Sequence, residues 1–146
     1  MPSSTPPLPR PAETGSDRTS AGRRSAVWAA CADAALILVF AAIGRDAHQR
    51  GDVIAGVLAT AWPFLAGAAV AWLALRIWRS PLALWPAGVG VWLGTVTGGM
   101  LLRAFTGQTV VLPFVIVALL SLGLFLLGYR LLATVILRRN TRRGRA

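Results

Sequence analysis

Four apolar stretches, residues 26–43, 54–75, 82–102 and 110–137, constrain this chain more than any other feature. Each is close to or longer than the ~20 residues that an α-helix needs to cross about 30 Å of hydrocarbon. In that solvent each backbone N–H and C=O must find a partner without water, and a helix supplies the partner within its own segment. The expected fold class is therefore all-α, an integral membrane bundle of four transmembrane helices. The connectors at residues 44–53, 76–81 and 103–109 are short enough to make neighbouring helices antiparallel. Only 14% of residues are charged, against roughly 25% in a soluble domain, which excludes an ordinary soluble fold. The fourth stretch exceeds one crossing, so it either tilts or continues into the headgroup region past Arg130.

The flanks divide the chain into a tail at 1–25, a transmembrane domain at 26–137 and a basic tail at 138–146. Residues 1–25 hold five of the nine prolines among Ser, Thr, Gly and Arg, too little apolar surface to offset ordering entropy, so disorder is expected. Arg23-Arg24 before an apolar run imitates a twin-arginine export signal, but Asp33 interrupts that run and three more follow. All 15 basic residues are arginine, and the net charge is +10. Eleven arginines (10, 18, 23, 24, 76, 79, 138, 139, 142, 143 and 145) fall on one side, and Arg45, Arg50 and Arg103 on the other. Positive flanks are retained inside, so both termini are expected to be cytoplasmic. Basic residues directly after a crossing attract anionic lipid headgroups, and lipid rather than nucleic acid is the expected partner.

Within the bundle, Gly90, Gly94 and Gly98 recur every four residues and lay a smooth strip along one face of the third helix. Helices in lipid associate through such close backbone approach. The strip serves either a helix of the same chain or a second copy, so a homodimer stays open. Pro63 lies in mid-helix, where it frees a carbonyl and bends the axis. Trp28, Trp72, Trp78 and Trp85 fall near the arginine-rich boundary, where indole rings anchor with the N–H in the polar layer. Trp62 and Trp92 lie deeper and read as packing residues.

Asp33 is the most informative side chain. It lies seven residues past Ala26, about 10 Å in at a rise of about 1.5 Å per residue, where an aspartate costs roughly 2.5–3.5 kcal/mol. Arg130 precedes Leu137 by the same seven residues, so the two charges share a depth if the fourth helix leaves the membrane at Leu137. An Asp33–Arg130 ion pair is one compensation; a protonated Asp33 bonded to Thr95 or Thr97 is the other. On the opposite side Arg45, His48 and Arg103 form a candidate polar cluster for an anionic group, or else simply solvated loop charges. Cys31 is the sole cysteine and His48 the sole histidine, so neither a disulfide nor a metal site is expected. No Ser-His-Asp, paired-carboxylate or glycine-rich phosphate pattern is present, and the chain is expected to be neither an enzyme nor the carrier of a cofactor.

Asp33, the string from Phe40 to Gly44-Arg45 with His48, Trp62-Pro63-Phe64-Leu65-Ala66-Gly67, and Gly99-Met100 with Arg103, Gly107 and Phe114 together resemble the bacterial membrane proteins of the domain of unknown function 3054 family. The resemblance covers roughly residues 28–132. It implies a small integral membrane protein with four spans and brings no activity, ligand or catalytic residue. Two functions follow as expectations: a structural or interaction role in the membrane, or a small dimeric proton-coupled transporter using Asp33. The second is similar in plan to the small multidrug resistance transporters, whose aromatic and acidic motif this sequence lacks.

Overall fold

A computed structural model describes residues 15–46 and 52–143. Four helices, α1 (Gly15–Asp46), α2 (Val53–Ala74), α3 (Val89–Phe105) and α4 (Leu112–Arg143), follow one another and pack as antiparallel neighbours. Four segments are long and apolar enough to cross a membrane: Gly22–Gly44, Val53–Ala74, Leu84–Phe105 and Leu112–Asn140. The chain is a four-span, all-helical membrane protein.

The N-terminal flank differs from expectation. Helix α1 begins at Gly15, so residues 15–25 are helical rather than part of a disordered tail; the last proline of the tail is Pro11, and nothing after it breaks a helix. Residues 1–14 lie outside the described residues, as do 47–51 and 144–146. At the other end α4 runs on through the arginines to Arg143, the continuation past Arg130 that its length allows. Both outer helices have 32 residues, about 48 Å at a rise of about 1.5 Å per residue, and so extend well past the hydrocarbon.

The third helix starts later than its hydropathy suggests. Trp85 is extended (φ −122°, ψ 135°) because the ring of Pro86 disfavours helical geometry in the residue before it. A loose turn over Leu84–Gly88 therefore precedes the regular helix at Val89. The link from α2 is equally irregular: Arg76 adopts a left-handed conformation (φ 49°), followed by a short 3-10 turn at Ile77–Arg79. Ile77 is buried, so this connector folds back under the bundle instead of lying free in the headgroup layer.

The glycine strip has its partner within the chain. A Cβ on Gly94 would lie 2.5 Å from the Ala71 Cβ, and one on Gly98 would lie 2.8 Å from the Gly67 Cα. A Cβ on Gly90 would strike the side chain of Leu75, and Gly99 is pressed against the Phe64 ring. Gly67 is as tight in return, its missing Cβ 3.0 Å from the Gly94 carbonyl oxygen. The seam thus joins α3 to α2, with Phe64, Gly67, Ala71 and Leu75 as the opposing row. A second copy has no access to this face, which removes the strip as a dimer contact. Helix α2 runs unbroken across Pro63, which is buried. Phe40, Phe64 and Phe114 form an aromatic cluster with ring centroids 5.5–6.4 Å apart. Trp92 donates its N–H to the Leu119 carbonyl at 2.9 Å, tying α3 to α4, whereas Trp62 faces outward and does not pack in the core.

Candidate functional site

Helix α1 places Asp33 on its inner face, and α4 places Arg130 opposite, so that the two expected partners meet. Their exposures are 2% and 0%. Arg130 Nη1 donates to Asp33 Oδ1 at 2.7 Å and Nη2 donates to Oδ2 at 2.8 Å, the bidentate arrangement that combines strength with fixed orientation.

Two aromatic donors complete the carboxylate. Trp72 Nε1, two residues before the end of α2, donates to Oδ2 at 2.9 Å. The Tyr129 hydroxyl on α4 donates to Oδ1 at 2.8 Å. A carboxylate has about four acceptor positions, and here each oxygen receives two donors. Thr95 and Thr97 take no part: the Thr95 hydroxyl is buried with no hydrogen-bond partner, and Thr97 is exposed. The protonated, threonine-bonded alternative is thereby replaced by an ion pair. Trp72 also departs from its expected interfacial role, since its N–H is directed to Asp33 rather than to the polar layer. Trp28, Trp78 and Trp85 are exposed, as anchors would be.

The arginine is held as firmly as the acid. Arg130 Nε donates to the Pro81 carbonyl at 3.1 Å, and Nη1 also donates to the Leu126 carbonyl at 3.0 Å. The guanidinium carbon lies 4.7 Å from the centroid of the Tyr129 ring. Close passage of the arginine stem requires glycine at 88, where a Cβ would lie 2.9 Å from Arg130 Cδ. Four of the five guanidinium donors are therefore used, and the site joins α1, α2, the α2–α3 connector and α4. Desolvating two charges costs several kcal/mol per ion, roughly recovered only when geometry and remaining hydrogen bonds are good. That condition is met here.

At the opposite end Arg103 turns back onto its own surroundings. Its guanidinium carbon lies 4.6 Å over the Phe114 ring, and Nη2 approaches the Thr109 carbonyl at 3.4 Å. Its Nε is buried without a partner. His48 and the side chain of Arg45 lie outside the described residues, so of the expected outer cluster only Arg103 has a described position. Cys31 is exposed on α1.

No curated protein and no solved structure matches the chain. A family model does: that described as "Protein of unknown function (DUF3054)" matches residues 30–133, a span that opens just before Asp33 and closes just after Arg130. This four-helix membrane chain, with its buried acid and arginine, belongs to that family.

Proposed function

We propose that the protein is a non-enzymatic component of the cytoplasmic membrane with a structural or interaction role, both termini on the cytoplasmic side. The saturation of Asp33 carries this reading. A coupling acid must exchange partners during its cycle, whereas this one receives donors from Arg130, Tyr129 and Trp72 at 2.7–2.9 Å and has almost no exposed surface. Its position supports use as a clasp between the first and last helices. The orientation is supported by the arginines at that end: Arg23, Arg24, Arg76, Arg79, Arg138, Arg139 and Arg143 are all exposed, free to meet anionic headgroups.

Two measurements test the reading. Proteoliposomes carrying the purified chain and an entrapped pH dye are challenged with a panel of cationic and neutral solutes; no solute-driven pH change is expected, and Asp33→Asn should lower stability without altering flux. A solute-dependent pH change abolished by Asp33→Asn would establish the transporter instead. Reporter fusions at the two ends should both give cytoplasmic signals.

A further inference from the structure

The four seams between neighbouring helices are not equally closed. Helices α2 and α3 touch backbone to backbone, with a Cβ on Gly98 falling 2.8 Å from the Gly67 Cα. Helices α3 and α4 are joined by the Trp92 N–H and by Gly123, where a Cβ would lie 3.0 Å from the Trp92 ring. Helices α1 and α2 share the Phe40–Phe64 contact, edge to face at 5.5 Å. The seam between α1 and α4 is the most sparsely packed of the four. Its gap is also uneven along its length. At the arginine-rich end an open hollow of about 380 Å³ separates Ala32 of α1 from Tyr129 of α4, with Leu82 of the connector as its third wall. Toward the opposite end the hollow between Phe40 and Ser121 is only about 70 Å³.

Polar contacts across this seam converge on one turn of α1. Arg130 and Tyr129 both donate to Asp33, and the Tyr129 hydroxyl lies 3.4 Å from the Ala29 carbonyl. Nearer the opposite end the seam is bridged by a ring contact, Phe40 of α1 against Phe114 of α4 at 6.4 Å between centroids. The two kinds of contact respond differently to movement. A bidentate ion pair holds one geometry, whereas aromatic pairs keep their attraction over a range of angles and centroid distances. Parts of a fold that open are drawn from those with few apolar contacts, and here that is the end with the larger hollow.

We propose that the arginine-rich half of the α1–α4 seam is a lateral gate, latched by Asp33 and Arg130 and pivoting on the Phe40–Phe114 contact. Unlatched, α1 and α4 part at that end, and the hollow beside Tyr129 deepens into a cleft running from lipid to Asp33. The α2–α3 seam stays shut because its backbones already touch. Tyr129 stands at the edge of the hollow with its hydroxyl on Asp33, so it is the clasp residue that the cleft exposes first. The inference rests on the clasp reading and adds to it the motion that the clasp prevents.

The test uses the full chain in lipid nanodiscs, with the exposed Cys31 replaced by serine so that introduced cysteine pairs carry the spin labels. Electron–electron resonance reads the distance across three pairs of exposed positions: Val27 with Leu131 at the arginine-rich end, Val39 with Ile116 near the pivot, and Val70 with Leu93 across the α2–α3 seam. In Asp33→Asn the first distance should lengthen by about 4–5 Å, half of the roughly 8–10 Å between the axes of packed helices. The other two should change by less than about 2 Å. Where Asp33→Asn fails to fold, the labelled chain with its clasp intact is titrated with sodium dodecyl sulfate in mixed micelles. The Val27–Leu131 pair should then lengthen at a lower detergent fraction than the Val70–Leu93 pair. An unchanged first distance in Asp33→Asn, equal lengthening of all three pairs, or coincident transitions in the titration would overturn the gate. A solute-driven pH change would refute the structural role, with selective lengthening of the first pair still establishing the gate; unchanged distances would refute the gate and leave the contribution of the clasp to stability intact.

Discussion

Replacing the clasp on one side and then on both gives the sharpest test of what holds this bundle together. Asp33→Leu leaves a fully buried guanidinium without its counter-ion, and Arg130→Met leaves a buried carboxylate with only Trp72 and Tyr129; each should cost about 3–5 kcal/mol. If the two costs were independent, the double variant would lose their sum, about 6–10 kcal/mol. In the double variant, however, no charge is left buried. What remains without partners are the Trp72 N–H and the Pro81 carbonyl, while the Tyr129 hydroxyl keeps the Ala29 carbonyl at 3.4 Å; the two aromatic side chains are only partly buried, and an unsatisfied buried group costs about 1–3 kcal/mol. The double variant should therefore be no less stable than the worse single one, a coupling of at least about 3–5 kcal/mol. Unfolding by sodium dodecyl sulfate titration in mixed micelles, followed by helical signal, measures all three. A double-variant cost within about 0.5 kcal/mol of the sum would refute the clasp. The structure also specifies a failure: exchanging the charges, Asp33→Arg with Arg130→Asp, should not rescue. The new carboxylate would face the Pro81 and Leu126 carbonyls, and the new guanidinium would face donors from Trp72 and Tyr129.

Other outcomes follow from single contacts. Tyr129→Phe removes one hydrogen bond to the carboxylate and should cost about 1.5–3 kcal/mol in the same titration, with Trp72→Phe similar. Gly94→Ala sets a methyl 2.5 Å from the Ala71 Cβ and should destabilise the α2–α3 seam by about 1–3 kcal/mol, whereas Gly128→Ala meets nothing within 4 Å and should be neutral or gain up to about 1 kcal/mol from helix propensity. Arg103→Ala loses the contact with the Phe114 ring, worth about 0.5–2 kcal/mol, and should lower the melting temperature accordingly. Gly88→Val crowds the stem of Arg130 and should lose as much stability as one of the single clasp variants, since it displaces the same guanidinium.

Depth counting was enough to bring Asp33 and Arg130 together, because two charges in hydrocarbon have few other ways to be compensated and each lies seven residues from the end of its apolar stretch. The remaining donors were legible by the same logic carried further. A bidentate arginine fills about half of a carboxylate's acceptor positions, so two more donors at that depth are required; Tyr129 adjoins Arg130, and Trp72 stands two residues from the end of α2. The apparent fit of Trp72 to an interfacial belt concealed this. The glycine strip was plain in α3, and the matching small residues Gly67 and Ala71 were present in α2, but which helix lies opposite is a property of packing that no single segment encodes. Pro86 carried the signal for the late start of α3 through its effect on Trp85. The Pro81 carbonyl, an acceptor that every residue possesses, gave no sign of its role.

The distance along the chain between the two clasp residues has a consequence for how the protein is made. Asp33 and Arg130 are 97 positions apart, and a ribosome adding roughly 5–20 residues per second needs on the order of 5–20 s to synthesise the interval. During that time the first helix must either wait beside the insertion machinery or enter lipid with a bare carboxylate, at a cost of roughly 2.5–3.5 kcal/mol. A nascent chain that stops short of its last helix retains that defect, so completion of synthesis and relief of the buried charge are a single event.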